Sequence, residues 1–427
     1  MKILVGILFS ILLLANECSF RSKGLKDYKP EKLNVDQNYF HSKLTTVDTI
    51  ILEENEDCII SSIENLRIFD DFIFLIESAG GMVCMFNFKT GKFLKKFEPG
   101  PEIIDSIAGS KYPPLPEGDK ILRYMQKHEY KERGLTETDI QMIKSAFIDI
   151  KQKSNLYYIM GMAYLPTTCD EEKYNVLTNR TFVYICDSNF ALQRIISFEV
   201  TPNVWSISSA FEVFDNGDYL VSTSNFGHEG NKYFDSLVTF AIYDTEGKLM
   251  YNTDYLPDLY ANNRLKYNEL WRPLTTQTNN TVLINYPRDF NVYATGNKSL
   301  FKLHNLPYTN DSGMVHIYDF YRLKKIQQSN PDPHDIGKIV PVTIVKTYGY
   351  DDVYGVITLI FDQDVKPMGF YYNLQEYSLE GKLLRQAIIH DEPEYQIRHF
   401  GYDKNNNYLC IARKGKDGWT LEKRRWE

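Results

Sequence analysis

Short apolar runs broken by compact polar turns recur along most of the chain, and two turn signals repeat among them. In the first, an aromatic residue is followed by a short turn and then Gly-Lys with two apolar residues: Phe88 to Leu94 around Gly91-Lys92, Tyr243 to Met250 around Gly247-Lys248, and Tyr377 to Leu384 around Gly381-Lys382. Each reads as a hairpin with glycine where a positive φ is needed. In the second, two apolar strands flank an Asp/Asn/Gly turn. The clear copies are Phe69-Asp70-Asp71-Phe72, Phe214 to Leu220 and Tyr402 to Leu409; weaker ones stand at Lys153 to Tyr157, Thr278 to Val282 and Gly349 to Val353.

These signals define six units. Unit one lays out as strands at about 63–69, 72–77, 82–88 and 92–97; unit three at about 208–214, 219–224, 236–243 and 248–253; unit five at about 341–347, 353–361, 370–377 and 382–389. Four-stranded units repeating every 40 to 70 residues or so are the mark of a β-propeller, whose blades bury their faces against neighbouring blades. A sandwich or barrel is the alternative, because alternation alone does not specify a propeller. The last unit, with strands at about 396–402, 408–413 and 418–424, runs out one strand short. An unpaired edge is a liability, so Thr45 to Leu52 is predicted to supply the missing strand and close the ring. The expected fold is all-β: a six-bladed β-propeller of four-stranded blades over residues 45–427.

Two intervals interrupt the rhythm. Residues of about 104–145, between units one and two, carry Ile121, Tyr124, Met125 and His128 at helical spacing, and Thr136 to Asp139 resembles a capping box. They are predicted to form a small helical insertion that packs on the propeller or lies over one mouth as a lid or partner surface. Pro287 to Ser312 reads as a polar loop. The C-terminal Lys423-Arg424-Arg425-Trp426 reads as a strand with a solvated face.

Ahead of the repeats, Lys2 precedes an uncharged run from Ile3 to Ala15. As a helix it would reach only about 20 Å, short of the roughly 30 Å hydrocarbon core, so it reads as a signal peptide rather than a permanent span. Residues 1–17 are therefore expected to be removed on export. Leu14 to Ser19 resembles a bacterial lipoprotein signal that would lipidate Cys18, with Glu17 as the departure from the usual small residue; plain secretory cleavage nearby is the alternative. Residues 18–44, polar and Lys-rich, suit a flexible tether.

Composition sharpens this picture in three places. With 48 Lys+Arg against 56 Asp+Glu the net charge is −8, which argues against a nucleic-acid partner. The six cysteines contain no C-x-x-C pair, so no zinc knuckle, thioredoxin-type site or disulfide framework is expected. Cys84, Cys186 and Cys410 sit in apolar runs as inert buried thiols, while Cys169 and Cys186 are the pair that a hairpin could join. Aromatic residues make up 14% of the chain, and many fall at repeated positions: Phe72, Tyr157, Tyr219 and Tyr408 after the second signal's turn, Phe88, Tyr243 and Tyr377 before the first's. They are expected to fill the wedges between blades.

The export signal followed by six such units resembles the six-bladed β-propeller lipoproteins of Bacteroidota, described as TolB-like or NHL-like. Members carry a Gly-Lys-aromatic-apolar strand followed by a turn containing Gly-Pro-x-Glu. The corresponding residues here run from Gly91 to Glu102, with Gly100-Pro101-Glu102 at the motif, where Glu follows Pro directly. The resemblance implies a cell-envelope protein anchored to a membrane by an N-terminal lipid, with binding favoured over catalysis.

Catalytic motifs are absent: there is no G-x-S-x-G, H-E-x-x-H, G-x-x-x-x-G-K-[ST] or G-x-G-x-x-G. No cofactor is expected. Three polar clusters, around His228-Glu229, Asp332 to Asp335 and His390 to Glu394, lie in Gly- or Pro-marked loops and read as solvated rather than metal-binding. Asp70-Asp71 and Asp351-Asp352 read as turn residues. Residues just ahead of an inner strand ring a propeller's mouth, which makes Trp205, Trp271, Arg272, Arg398 and His399 the candidates for holding a ligand such as a glycan or carboxylate. The leading function is a tethered, non-catalytic binding or scaffolding module for a small ligand, glycan or protein partner. The alternative is a propeller-type enzyme, a metal-dependent lactonase or hydrolase or a carbohydrate lyase, with its site at the channel mouth. That alternative requires His228, Glu229, His334, Asp335 and His399, or most of them, to converge.

Overall fold

The computed structural model describes residues 42–77, 81–98, 146–169, 172–198, 210–222, 240–253, 273–278, 281–286, 289–295, 302–305, 342–361, 370–379, 383–390 and 399–427. Residues 18–41 of the expected tether, the interval expected to be helical, and Trp205, Trp271, Arg272 and Arg398 lie outside the described residues. The described strands form six four-stranded antiparallel sheets. Blade one is β2 (Ile63–Phe69), β3 (Phe72–Glu77), β4 (Met82–Asn87) and β5 (Phe93–Phe97). Before it comes β1 (Leu44–Ile51). Blade two is β6 (Ala146–Lys153), β7 (Leu156–Cys169), β8 (Glu172–Cys186) and β9 (Leu192–Ser197). Blade three is β10 (Phe211–Val213), β11 (Tyr219–Ser222), β12 (Phe240–Tyr243) and β13 (Leu249–Thr253). Blade four is β14 (Leu274–Thr278), β15 (Thr281–Tyr286), β16 (Asp289–Thr295) and β17 (Lys302–Asn305). Blade five is β18 (Val342–Tyr350), β19 (Val353–Phe361), β20 (Phe370–Ser378) and β21 (Leu383–His390). Blade six is β22 (His399–Asp403), β23 (Tyr408–Gly415) and β24 (Gly418–Trp426), completed by β1.

The first strands of the blades touch in the order β2, β6, β10, β14, β18, β22, and β22 returns to β2. Between the first and second strands the chain turns in two residues in several blades, with Asp70, Ser154 or Asp351 as the first turn residue at positive φ (51°, 53° and 44°). Asp and Ser tolerate this because short polar side chains bond the local backbone.

Ring closure follows the expected route. β1 runs antiparallel to β24 from Leu44↔Trp426 to Ile51↔Thr420. Leu52 then donates its backbone N–H to the Trp419 carbonyl at 2.9 Å, and Glu53 to that of Gly91 at 2.9 Å. The Gly-Lys turns explain why this geometry repeats. In blade three, Gly247 (φ +79°) lies so close to the end of β9 that an added Cβ would stand 2.5 Å from the Ser197 carbonyl oxygen. In blade one, Gly91 (φ +69°) makes the same approach to Ile51, where a Cβ would stand 2.0 Å from the carbonyl oxygen. β1 therefore holds, toward blade one, the place that the outer strand of blade two holds toward blade three. A Gly91→Ala variant combines a strained φ with a clash against backbone, and it is expected to lose about 2–3 kcal/mol of stability in urea melts.

Aromatic and aliphatic side chains fill the interfaces between blades. One cluster joins Ile50, Leu52, Trp419 and Leu421 to Phe86 and Phe88 across the closure; a second joins Phe74 and Phe97 of blade one to Phe147, Tyr157 and Tyr184 of blade two. Others hold Tyr219 and Tyr243 between blades two and three and Tyr377 between blades four and five. Phe72 and Tyr408 are partly buried against their clusters. The repeated aromatic positions thus act as wedge fillers, in tilted and edge-to-face pairs such as Phe74 with Tyr157 at 4.9 Å.

Several expectations need correction. The interval Pro287 to Ser312, read as a loop, contains β16 and β17, where Val292 and Tyr293 are buried. A few apolar side chains among polar ones are enough when neighbouring strands supply the ladder. The charged run at the C-terminus is a strand, but Lys423 and Trp426 are buried: Lys423 pairs with Asp48 at 2.8 Å and lies 4.3 Å over the Phe88 ring. Its aliphatic stem covers apolar surface while β1 provides the counter-charge. Cys169 and Cys186 do not face each other, because β7 and β8 form a hairpin that pairs Cys169 with Glu172 at one end and Tyr157 with Cys186 at the other. His390 closes β21 instead of standing in a loop.

Candidate functional site

Inner strands bring isolated charges of distant sequence positions onto one axis. On β2, Arg67 grips the Asp149 carboxylate of β6 in a two-point fork, Nε to Oδ1 at 2.7 Å and Nη2 to Oδ2 at 2.7 Å. Asn65 donates to the same carboxylate at 3.0 Å, and Lys151 stands 3.3 Å from it. Lys151 also pairs with Glu212 of β10. From β18, Lys346 donates to Asn65 Oδ1 at 2.7 Å and to the Leu66 carbonyl at 3.3 Å.

A cavity of about 120 Å³ opens on this network, and all six inner strands contribute to its wall. Its charged lining is Arg67, Lys151, Lys346 and Lys404 against Glu212, with Asp149 behind Arg67 and Lys151. Among the described residues two cations are left over. Lys404 is exposed at the mouth, whereas Lys346 is half-buried. Among the described residues no carboxylate lies within ion-pair distance of Lys346.

The electrostatics differ from one group to the next. Burial would raise the Asp149 pKa, but the charges of Arg67 and Lys151 and the Arg67 hydrogen bonds outweigh it and hold the carboxyl well below its ordinary range. Burial pushes Lys346 the other way, well below the usual lysine range, and the positive charges of Arg67 and Lys151 add to this. Asp149 recovers only part of it. An arriving anion is therefore the missing element that would favour the charged ammonium.

The cavity also has an aromatic wall. Tyr348 and Tyr402 stack with ring centroids 4.0 Å apart, and Tyr350 stacks on Tyr402 at 5.0 Å. Behind them the buried Glu376 accepts hydrogen bonds from Tyr348 Oη (2.7 Å), Tyr350 Oη (3.1 Å), Arg385 Nε (2.5 Å) and Trp426 Nε1 (3.0 Å). Burial first, and then the Glu376 charge, push the Tyr348 phenol upward, which keeps it a donor. Because Trp426 belongs to the closing sheet, the wall is braced by ring closure itself.

Of the five residues expected to ring the mouth, only His399 falls among those described. It does not line the cavity; its ring lies 5.8 Å from that of Trp419, tilted by 58°. Burial, with a smaller push from Lys346, lowers its pKa to about 4. The unfolded chain therefore binds the proton more readily than the folded one, and stability is lost as pH falls from about 6.5 toward 4. After allowance for partial exposure the loss is about 2 kcal/mol. A His399→Gln variant is expected to flatten the urea-midpoint profile between pH 7 and 4.5 by that amount.

Cys18, Gly100, Pro101, Glu102, His228, Glu229, His334 and Asp335 lie outside the described residues. Among the described residues no cluster of three His, Cys, Asp or Glu side chains could hold a metal ion, and no helix is long and apolar enough to cross a membrane. The axial charges escaped sequence reasoning because each looks like an ordinary polar position on an alternating strand. One signal was available: Arg67 and Lys151 each stand three residues before the left-handed turn residue of their unit, Asp70 and Ser154.

Comparison with known proteins agrees with this architecture. The model of a family described as DUF5128, a 6-bladed beta-propeller, matches residues 28–102. No curated protein matches the chain. Among solved structures, one described as a putative exported protein from Bacteroides fragilis NCTC 9343 superposes with a TM-score of 0.50 at 10% identity, covering 90% of this chain and 95% of that one. A member of the duf4221 family from Bacteroides vulgatus ATCC 8482 does so with a TM-score of 0.50 at 8% identity, covering 91% of this chain and 99% of that one. At such identities the likeness concerns fold alone, and by fold this chain is a six-bladed β-propeller of four-stranded blades.

Proposed function

We propose that the chain is an exported propeller, tethered to the cell envelope through a lipid on Cys18, that binds a small acidic ligand in its axial cavity without converting it. The observation that carries this reading is the cavity's surplus of cations, above all Lys346, which has neutral hydrogen-bond partners and cationic neighbours. A ligand carboxylate would supply the counter-charge. Acidic sugars carry such a carboxylate. The export half of the proposal draws on the uncharged run from Ile3 to Ala15 and on the Bacteroides protein of similar fold that is described as a putative exported protein. The absence of nucleophile-elbow, zinc-protease and nucleotide motifs in the sequence favours binding over catalysis.

Calorimetric titration of the full chain with galacturonate and, in parallel, with neutral galactose tests the site. Galacturonate is expected to bind, and Lys346→Met to weaken it at least about tenfold, the worth of one charge-assisted hydrogen bond. Equal binding of the neutral sugar, or an unaffected Lys346→Met variant, would overturn the assignment.

A further inference from the structure

Cys58 belongs to the connector that leads from the closing strand β1 into blade one, and Cys84 to β4, the third strand of that blade. Both side chains are fully buried, and their sulfur atoms are in direct contact at 2.6 Å. The surroundings are apolar: Leu52, Ile60, Ile63, Phe86, Trp419 and Leu421 belong to the same cluster. The connector is held in place independently of the thiols. Asn55 caps it by accepting the backbone N–H groups of Asp57 (2.9 Å) and Cys58 (3.1 Å). Glu54 accepts from the Ile60 N–H at 2.8 Å, and Trp419 Nε1 donates to the Ile60 carbonyl at 2.9 Å. The two thiols are thus brought together by hydrogen bonds and packing that do not involve them.

We propose that Cys58 and Cys84 form a disulfide in the exported protein, stapling the ring-closing connector to blade one. The bond closes a loop across 26 sequence positions. Two thiols lose two electrons and two protons to a disulfide-bearing oxidant, a dithiol oxidase in the cell envelope or oxidised glutathione in vitro, whose own S–S bond is reduced to two thiols. The cross-link removes conformations from the unfolded chain and leaves the folded one as it stands. It acts at the closure of the ring, where the chain crosses from β1 in blade six to β2 in blade one. A bond in this place suits an oxidising compartment, so the in-cell form of the proposal rests on the export reading given above.

The test has two arms. In the first, the reduced full chain is refolded with oxidised and reduced glutathione, alkylated in denaturant and mapped as peptides without reduction. A Cys58–Cys84 linked peptide is expected, with Cys186 and Cys410 alkylated; alkylation of Cys58 and Cys84, or their pairing elsewhere, overturns the proposal. In the second, the chain is expressed with its own N-terminal segment and trapped with alkylating agent in the cell. A linked peptide from refolding with free thiols in the cell would overturn the export reading and leave the pair intact. Reduction of the linked protein is expected to lower Tm by about 4 °C, while a Cys58→Ala/Cys84→Ala chain shows no such response to reductant. The same Tm change in the double variant would overturn the stabilising role.

Discussion

A chain lacking residues 1–52 is expected to lose the folded propeller. The removed segment contributes Ile50 of β1 and the following Leu52 to the cluster at the closure, each worth about 1.5–3 kcal/mol on burial. It also provides the outer ladder partner of β24 from Leu44 to Ile51, the Asp48 carboxylate that neutralises buried Lys423, and the Thr46 hydroxyl that donates to buried Glu422. Without it Lys423 is left as a buried charge, and β24 becomes a long free edge in a sheet whose core is otherwise intact. Those losses together rival the roughly 5–15 kcal/mol by which a domain is stable. Circular dichroism in urea should show loss of the cooperative transition, and size-exclusion chromatography should show association through the bare edge. A synthetic peptide spanning residues 42–53, added in trans, should restore the transition. A shortened chain that melts cooperatively at the midpoint of the full one would contradict the assignment of β1 as a structural member of blade six.

Replacing Asp149 by alanine is expected to cost about 4 kcal/mol at neutral pH, because it strands Arg67 and leaves Lys151 with Glu212 alone. The pH dependence has a definite sign. The carboxyl's folded pKa is depressed, so its contribution is fully present above its unfolded value of 3.8 and is lost as pH falls below that toward the folded value. Wild type should therefore converge on Asp149→Asn only in strong acid, and the two should differ by a constant amount from pH 5 to pH 8. The Arg67→Ala/Asp149→Ala double variant is expected to cost less than the sum of its parts, since the second change removes the charge that the first exposed. Additivity in urea melts would show that the fork is not the main partner of either group.

The architecture was readable and the site was not, for one physical reason. Strand, turn and blade are local: an aromatic before a Gly-Lys turn, or an Asp pair between apolar runs, carries its meaning within a few residues. Closure was readable as well, because a unit ending one strand short demands a partner and Thr45 to Leu52 was the spare strand. The axial network is non-local. Arg67 and Asp149 are separated by 82 positions, and Lys346 and Asn65 by 281. Their proximity exists only once six inner strands face a common axis, so a rule placing polar residues outward misassigns them. The buried Lys423 was missed for a related reason: its counter-charge, Asp48, lies 375 positions away.

The pairing of β1 with β24 has a topological consequence. The Glu427 N–H donates to the Lys43 carbonyl at 2.9 Å, and the two side chains form an ion pair at 3.5 Å. Residues 43 and 427 are thus neighbours, and the ring has no privileged starting blade. A short linker joining them, with the chain reopened at the exposed turn around Asn189 in blade two, would give a circular permutant whose blades are each made from continuous sequence except the one that is cut. Any cargo fused after residue 427 would leave the ring at the same point on its rim as the segment that precedes residue 43.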